Sequence, residues 1–381
     1  MKKQTQAIHL EYERRDAYDS LSVPVYNTLA YEFDNAAIMA EAFTDKIKAP
    51  DYSRVENPTV TNLERRVAAL TDAAHATAFN SGMAAISNTL MALAAQGKNI
   101  VTSKHLFGNT YALLVATLRR FGVKVRLRDL TNIEAVREAI DDDTCCVFLE
   151  ILTNPQLEVA DLKAISEVAH EKNVPLVVDS TVIPFTQFSA KSLGVDIEVV
   201  SSSKYVSGGA TSLGGLVIDY GTPYNGDFAK RLYGEMLFNF GAYMTPQVAY
   251  MQTIGLETLD ARYRVQSGNA LELAKKLRSL PQIKYVNYVG LEDNPYHELA
   301  QRQFGKTAGA MICIDLESKE ACFSFLNNLK LIHRATNLFD NRSLAIHPAS
   351  TIFGAFSESM RKSMDVKDTT IRLSRWSGGC G

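Results

Sequence analysis

Two residues of this chain are placed for chemistry that neither could do alone. Lys204 lies in the stretch Ser201-Ser202-Ser203-Lys204-Tyr205-Val206-Ser207-Gly208-Gly209, and Asp179 closes the apolar run Val177-Val178-Asp179 upstream of it. A lysine is a poor nucleophile unless its pKa is depressed or it is converted to a Schiff base. The run ending in Asp179 reads as a buried parallel strand that delivers the carboxylate at its C-terminal end, the edge at which open α/β sheets bind ligands. A second strand-like run over 196–200 leads into Lys204. This arrangement fits pyridoxal phosphate, with Lys204 forming the Schiff base and Asp179 keeping the pyridine nitrogen protonated. Taken alone, the pair fits an exposed loop lysine and a helix-capping aspartate better, so the neighbouring motifs have to decide.

Three further clusters point the same way. In Asn80-Ser81-Gly82-Met83, Ser81 can cap a helix, Gly82 lets a phosphate approach the backbone, and the free N–H groups of the first turn suit an anion. An ordinary capped helix start reads equally well there. Ser201 and Ser203 flank Lys204 with hydroxyls that could serve the same phosphate. In the stretch 51–59, Tyr52 and Arg54 offer a phenol and a guanidinium fork, both suited to phosphate. In Glu150-Ile151-Leu152-Thr153-Asn154-Pro155, Asn154 could hydrogen-bond the cofactor's phenolic oxygen, or it is a turn residue before proline. The chain has no P-loop, and no Gly-x-Gly-x-x-Gly follows the first strand, so nucleotide binding is weakly supported.

The elements that must position these residues alternate. Strands are expected at 75–80, 99–103, 123–129, 145–152, 175–181, 196–201 and 213–220, with helices at 83–95, 111–121, 133–140 and 162–171 between them. Such alternation predicts an α/β fold, a mainly parallel sheet with helices on both faces. Past about residue 245 the rhythm changes to a long helix over 246–280, a strand near 283–289, a helix near 298–304, a strand at 310–316 and a helix at 319–331, which reads as a smaller α+β domain. The expected division is an N-terminal arm over 1–52, a cofactor-binding domain over 53–245 and a C-terminal domain over 246–381. With 381 residues, 46% of them hydrophobic, a net charge of −2 and no long run of like charge, the chain can bury a large core and gives no support for a nucleic-acid or membrane-surface partner. Five cysteines without Cys-x-x-Cys spacing suit a reducing cytoplasm. Neither a signal peptide nor a membrane span is expected, and no metal site, because the seven histidines lack ligand spacing.

Four clusters in this order make the chain resemble the Cys/Met-metabolism family of pyridoxal-phosphate enzymes of fold type I, over residues from about 8 to 374. That family includes cystathionine synthases and lyases, methionine γ-lyase and O-acetylhomoserine sulfhydrylase. The resemblance implies Lys204 as the Schiff-base lysine and Asp179 as the partner of the pyridinium. It implies Gly82, Met83, Ser201 and Ser203 as phosphate contacts, with Ser81 beside them, and Asn154 next to the ring oxygen. Tyr52 and Arg54 match a pair that reaches the phosphate of the neighbouring subunit, so homotetramers built from active dimers are implied. Arg372, in Thr370-Ile371-Arg372-Leu373-Ser374, matches the arginine that clamps the substrate carboxylate, and Asn337 falls in the family's substrate-side loop. His347 is read as structural.

Departures from the family pattern narrow the activity. Phe107 stands where Tyr is usual, so it can stack on the cofactor but has no hydroxyl to donate to a leaving group. Asn109 stands where methionine γ-lyases resemble one another in having Cys, and Asn337 followed by Asp340 looks closer to the sulfhydrylases. The expected reaction is γ-replacement on O-acetyl-L-homoserine, or a related acyl homoserine, with sulfide or a small thiol. A γ- or β-lyase acting on methionine, cystathionine or cysteine is the runner-up, and a catalytically inactive binding or assembly protein is the alternative of another class. The resemblance also implies a Val-Gly-rich segment and a final helix after Ser374, where this chain has Arg375-Trp376-Ser377-Gly378-Gly379-Cys380-Gly381. Codons exist for that ending which, read one base later, give Val-Gly-Ala-Glu-Asp-Ala. The ending is therefore either a natural short terminus or the product of a one-base insertion after the Ser374 codon that leaves the C-terminal domain cut short, the second being the expectation.

Overall fold

The computed structural model describes residues 2–10, 16–44 and 46–374. The expected frame shift falls on 375–381, outside the described residues.

Seven strands form the large sheet: β1 (His75–Phe79), β2 (Asn99–Ser103), β3 (Lys124–Arg128), β4 (Thr144–Glu150), β5 (Leu176–Asp179), β6 (Ile197–Val200) and β7 (Gly215–Asp219). Their order is β1-β7-β6-β5-β4-β2-β3, and β7 alone runs against its neighbours. The central strands are apolar on both faces because side chains alternate along a strand. In β4 and β5, Val147, Leu149, Leu176 and Val178 enter one core, whereas Cys146, Phe148 and Val177 enter the other. At the edge, β3 exposes Lys124 and Arg128, charges that discourage pairing with another chain.

A second sheet has the order β10-β11-β12-β9-β8, from β8 (Tyr285–Asn287), β9 (Met311–Asp315), β10 (His333–Arg334), β11 (Leu344–Ile346) and β12 (Thr370–Ser374). Ile312, Ile314, Ile371 and Leu373 of this sheet join the same core as Val147 and Val178, so the two sheets are welded through one apolar body. β12, which carries Arg372, and the short strands β10 and β11 escape a sequence reading, because two to five residues are too few to show a period.

The long helix expected over 246–280 is two helices, Pro246–Glu257 and Leu259–Arg278, which break at Thr258 (φ −104°, ψ 1°). Likewise the helix expected over 111–121 begins at Gly108–Ala112 and then changes pitch twice, with a wide turn at Leu113–Thr117 and a tight one at Leu118–Phe121. Gly255 explains the placement of the first of the 246–278 pair: a Cβ there would stand 2.0 Å from the Val206 carbonyl oxygen. The helix therefore lies directly on the backbone that follows Lys204. At the other end of the chain, helix Lys3–His9 is tied to the large sheet's surroundings through Lys3 Nζ, which donates to the carbonyls of Phe185 (3.2 Å) and Phe188 (2.9 Å). Among the described residues no helix is long and apolar enough to cross a membrane.

Candidate active site

The carboxyl ends of the parallel strands converge on one place. β5 ends at Asp179, β4 at Glu150, β6 runs into Ser201 and Lys204, and β1 runs through Asn80 into helix Gly82–Leu93. From the smaller sheet, β12 brings Arg372, and the loop before β11 brings Asn337.

Lys204 Nζ donates to Asn337 Oδ1 at 2.9 Å. Burial depresses its pKa first, the Arg372 charge depresses it further, and Asp179 pulls it partly back. A buried ammonium beside a guanidinium gives up its proton more readily, as a nucleophilic lysine requires. Asp179 is itself buried, and its Oδ1 accepts from Thr181 N at 2.9 Å. Burial raises its pKa, opposed by Thr181 and by the charge of Lys204. Its neighbour Glu150 is raised well above the carboxylate range, by burial and then by Asp179. Of the two, Asp179 has Thr181 and the Lys204 charge in its favour, so the upward push is stronger on Glu150.

Arg372 is 4% exposed, and burial lowers its pKa to about 10. Nη1 donates to Asn154 Oδ1 (3.1 Å) and Nη2 to the Asn337 carbonyl (3.2 Å), while the buried Nε has no partner. An unsatisfied guanidinium N–H at the bottom of a site is a waiting donor for an anion.

The expected phosphate side has a clear structural cause for its glycine. A Cβ on Gly82 would lie 2.5 Å from Ser201 Cβ, so only glycine lets the helix start meet the Lys204 stretch. Ser81 Oγ accepts from Ala84 N at 3.1 Å and caps that helix, leaving the N–H groups of Gly82 and Met83 outside the helical ladder. Met83 is half-buried, with Thr110 Oγ1 near its sulfur at 3.9 Å. Ser201 N donates to Thr181 Oγ1 (2.8 Å), which leaves its own hydroxyl available. Ser203 differs: its hydroxyl donates to Gly214 O (3.1 Å) and accepts from Gly214 N (2.9 Å), so its proton is already engaged with the backbone.

Phe107 is half-buried at the end of the loop after β2, and its N–H donates to Glu150 Oε1 at 2.5 Å. Tyr52 and Arg54 are not brought to Lys204 within one chain. Tyr52 is 40% exposed, the Arg54 guanidinium lies 5.4 Å from its ring centroid, and Arg54 Nη1 donates to Phe238 O at 2.6 Å. His347 is buried and bonds Ser350 Oγ and Asp368 O, each at 2.8 Å. Among the described residues no group of three His, Cys, Asp or Glu could hold a metal.

Glu150 and His105 are the residues a sequence reading leaves without a role. A carboxylate closing an apolar strand next to the Asp179 strand is the available signal for Glu150. For His105 there is none, because its partners Glu158 and Asp365 lie far away in sequence.

The residues fit pyridoxal phosphate: a lysine of depressed pKa, a buried carboxylate for a ring nitrogen, a helix start cleared of side chain for a phosphate, and an arginine with an unfilled donor. A fold and site of this kind define a pyridoxal-phosphate-dependent enzyme of fold type I. The sequence profile described as Cys/Met metabolism PLP-dependent enzyme matches residues 4–375, and the chain belongs to that family. It is 37% identical to an L-methionine gamma-lyase of Fusobacterium nucleatum subsp. polymorphum, over 97% of this chain and 93% of that one. It is 31% identical to the O-acetyl-L-homoserine sulfhydrylase of Corynebacterium glutamicum, over 97% and 92%. A crystal structure from Campylobacter jejuni, assigned as an O-acetylhomoserine (thiol)-lyase and containing a pyridoxyl-lysine monophosphate, superposes with a TM-score of 0.95 at 33% identity, covering 100% of this chain and 97% of that one. Cystathionine gamma-lyase from Lactobacillus plantarum gives 0.90 at 30% identity, over 100% and 95%.

Proposed function

We propose that this enzyme carries out γ-replacement on O-acetyl-L-homoserine, or a related acyl homoserine, with sulfide or a small thiol, releasing a carboxylate. The observation that carries this reading is Phe107. Its backbone is anchored on Glu150, and its ring offers no proton to a departing group. An ester leaves as a carboxylate, whose acid has a pKa of roughly 4, whereas a thiolate corresponds to about 8.5. At about 1.36 kcal/mol per unit, the ester has an advantage of roughly 6 kcal/mol in leaving-anion stability. A site lacking a phenol at that place suits the group that needs no proton.

Bound pyridoxal phosphate supplies the electron sink for carbanion chemistry at the substrate's Cα. Around it, the Gly82–Met83 helix start and Ser201 would hold the phosphate, Ser203 would join them only by turning its hydroxyl proton away from Gly214 O, and Asn154 would face the ring oxygen. Asp179 would face the ring nitrogen, where Thr181 and Lys204 favour its charge against burial, while burial and then Asp179 push Glu150 well above the carboxylate range. Arg372 binds the substrate's carboxylate through its fork, and Nε–H is the donor already free to do so. Lys204, whose pKa is depressed by burial and then by Arg372, would take the Cα proton in its unprotonated form and carry it onward.

Tyr52 and Arg54 serve the phosphate of a second subunit, in a homotetramer of active dimers, with 53–245 as cofactor domain and 246–381 as the smaller domain. Support comes from large apolar side chains left exposed on the arm (Leu21, Leu29, Phe43) and beside Arg54 (Phe238, Phe240). The free thiols Cys145, Cys146, Cys313 and Cys322 suit work in the cytoplasm.

Elimination is the second reading, favoured by the 37% identity to a methionine gamma-lyase. One experiment separates them. The enzyme is given acetylhomoserine with sulfide, and methionine alone, while homocysteine and keto acid are measured. Homocysteine from the ester as main product supports replacement; keto acid from methionine at a greater rate overturns it.

A further inference from the structure

Phe339 occupies a backbone conformation that a bulky residue rarely accepts. Its φ is 57°, in the left-handed region where a side chain crowds the following carbonyl. Such outliers persist where the surrounding structure holds them, and they gather at functional sites. Here the hold is visible. The ring is 1% exposed and stacks on Tyr205, centroids 3.9 Å apart and planes within 8°. Its N–H donates to Ser374 Oγ at 2.7 Å. Tyr205 is the residue after Lys204, and Tyr263 braces it edge-on at 5.3 Å.

The loop holding Phe339 also carries the contacts that set the site. Asn337 accepts from Lys204 Nζ through its side chain and from Arg372 Nη2 through its carbonyl. Two residues on, Phe339 is fixed to Ser374, which itself stands two residues beyond Arg372. Gln266 Nε2 donates to Asp340 O at 3.2 Å, and Asn341 Nδ2 to Gly208 O at 3.0 Å, which closes the loop onto the Lys204 stretch. The two segments of this contact, 204–208 and 337–341, are thus tied to each other by the Tyr205–Phe339 stack and the Asn341–Gly208 bond.

We propose that Phe339 is a positioning residue: by stacking on Tyr205 from a left-handed turn, it keeps the Asn337 carboxamide on Lys204 Nζ and the Asn337 carbonyl on Arg372. This rests on the reading of Lys204 as the residue that captures the cofactor. A glycine would take the same φ without crowding, so Phe339→Gly removes the ring while leaving the turn permitted.

The test is the rate at which the cofactor-free full chain captures pyridoxal phosphate, followed by visible absorbance across pH, because only the neutral Lys204 amine attacks. Asn337 accepts a hydrogen bond from Nζ and so favours its charged form. Losing that bond should move the midpoint of the capture profile down by about half to one unit, a three- to tenfold change in neutral amine below the midpoint. Asn337→Ala should shift it similarly, and combining the two substitutions should add little. KM for the amino-acid substrate should rise in Phe339→Gly, since Arg372 loses its brace, whereas Phe339→Tyr, which keeps the flat face, should move both readouts less than Phe339→Gly does. Wild-type midpoint and KM in Phe339→Gly, with only a lower melting temperature, would reduce the ring to core filling and overturn the proposal. Where the glycine variant fails to fold, Phe339→Leu keeps bulk without a flat face, and wild-type values there overturn it equally. Lys204→Ala is the control: capture persisting in that variant would sink the assignment of Lys204 and leave the brace a separate question.

Discussion

Glu150 and Asp179 are register partners at the carboxyl ends of adjacent parallel strands, two carboxyl groups side by side in a buried site. Both cannot carry charge cheaply in such surroundings. Burial, and then Asp179, drives Glu150 well above the carboxylate range, while burial raises Asp179 against the opposition of Thr181 and Lys204. Glu150→Gln, which copies a protonated carboxyl, should therefore stay within about threefold of wild-type kcat, well under 1 kcal/mol. Asp179→Asn should lose on the order of a hundredfold or more, as expected when a preorganised charge is removed from a site. Steady-state kinetics on both variants check this; an inactive Glu150→Gln would show that Glu150 works as an anion.

Lys204→Ala should abolish both the yellow colour of the cofactor-loaded protein and turnover. No other lysine lies in the matched motifs. An absorbance spectrum and one activity assay suffice, and wild-type-like turnover would end the assignment.

The position of Arg54, bound to Phe238 O and away from Lys204 in its own chain, makes a subunit-mixing experiment informative. Arg54→Ala and Lys204→Ala proteins should each be inactive alone. Mixed so that hybrid dimers form, they should regain part of the activity, because one of the two shared sites is then intact. Hybrids shown to exist without recovery would count against shared sites.

Arg372→Lys replaces a planar fork with a point charge at a buried position. One charge-assisted hydrogen bond is worth about 1.5–3 kcal/mol. The expected fall in kcat/KM is roughly 10- to 150-fold, carried mainly by KM for the amino-acid substrate. Substrate-saturation curves decide it, and an unchanged KM would remove Arg372 from carboxylate binding.

His105 ties the Phe107 loop to two distant segments: its Nδ1 meets Glu158 Oε2 at 2.5 Å and its Nε2 meets Asp365 Oδ2 at 2.7 Å, where Lys104 also pairs. Burial opposes its charge, but the two carboxylates outweigh that and raise its pKa. A raised folded-state value means that the stabilisation is fully present below the unfolded pKa of about 6.5 and is lost as pH rises through the folded value. The melting temperature of wild type minus that of His105→Gln should thus be largest near pH 6 and shrink as the solution becomes alkaline. Thermal scans at several pH values test the sign; a difference that grows with pH would refute it.

The reach of the sequence follows from the range of the forces involved. Alternation of strand and helix, the strand-end carboxylate Asp179, the lysine after the next strand and the Ser81-Gly82 helix start are local patterns, and each survived folding at its expected place in the sheet. The same local logic failed at Thr258, where one long helical pattern is divided into two helices, the first of them laid on the Val206 carbonyl at Gly255. What only tertiary structure decided is how the charges are set. Arg372 reaches Asn154 and Asn337, Glu150 is pushed up by burial and then by its lateral neighbour Asp179, and the pKa of His105 is raised because Glu158 and Asp365 arrive from elsewhere. Coulomb and desolvation energies depend on distance through space and on burial. Residue order along the chain determines neither of these until the two sheets have closed on one another.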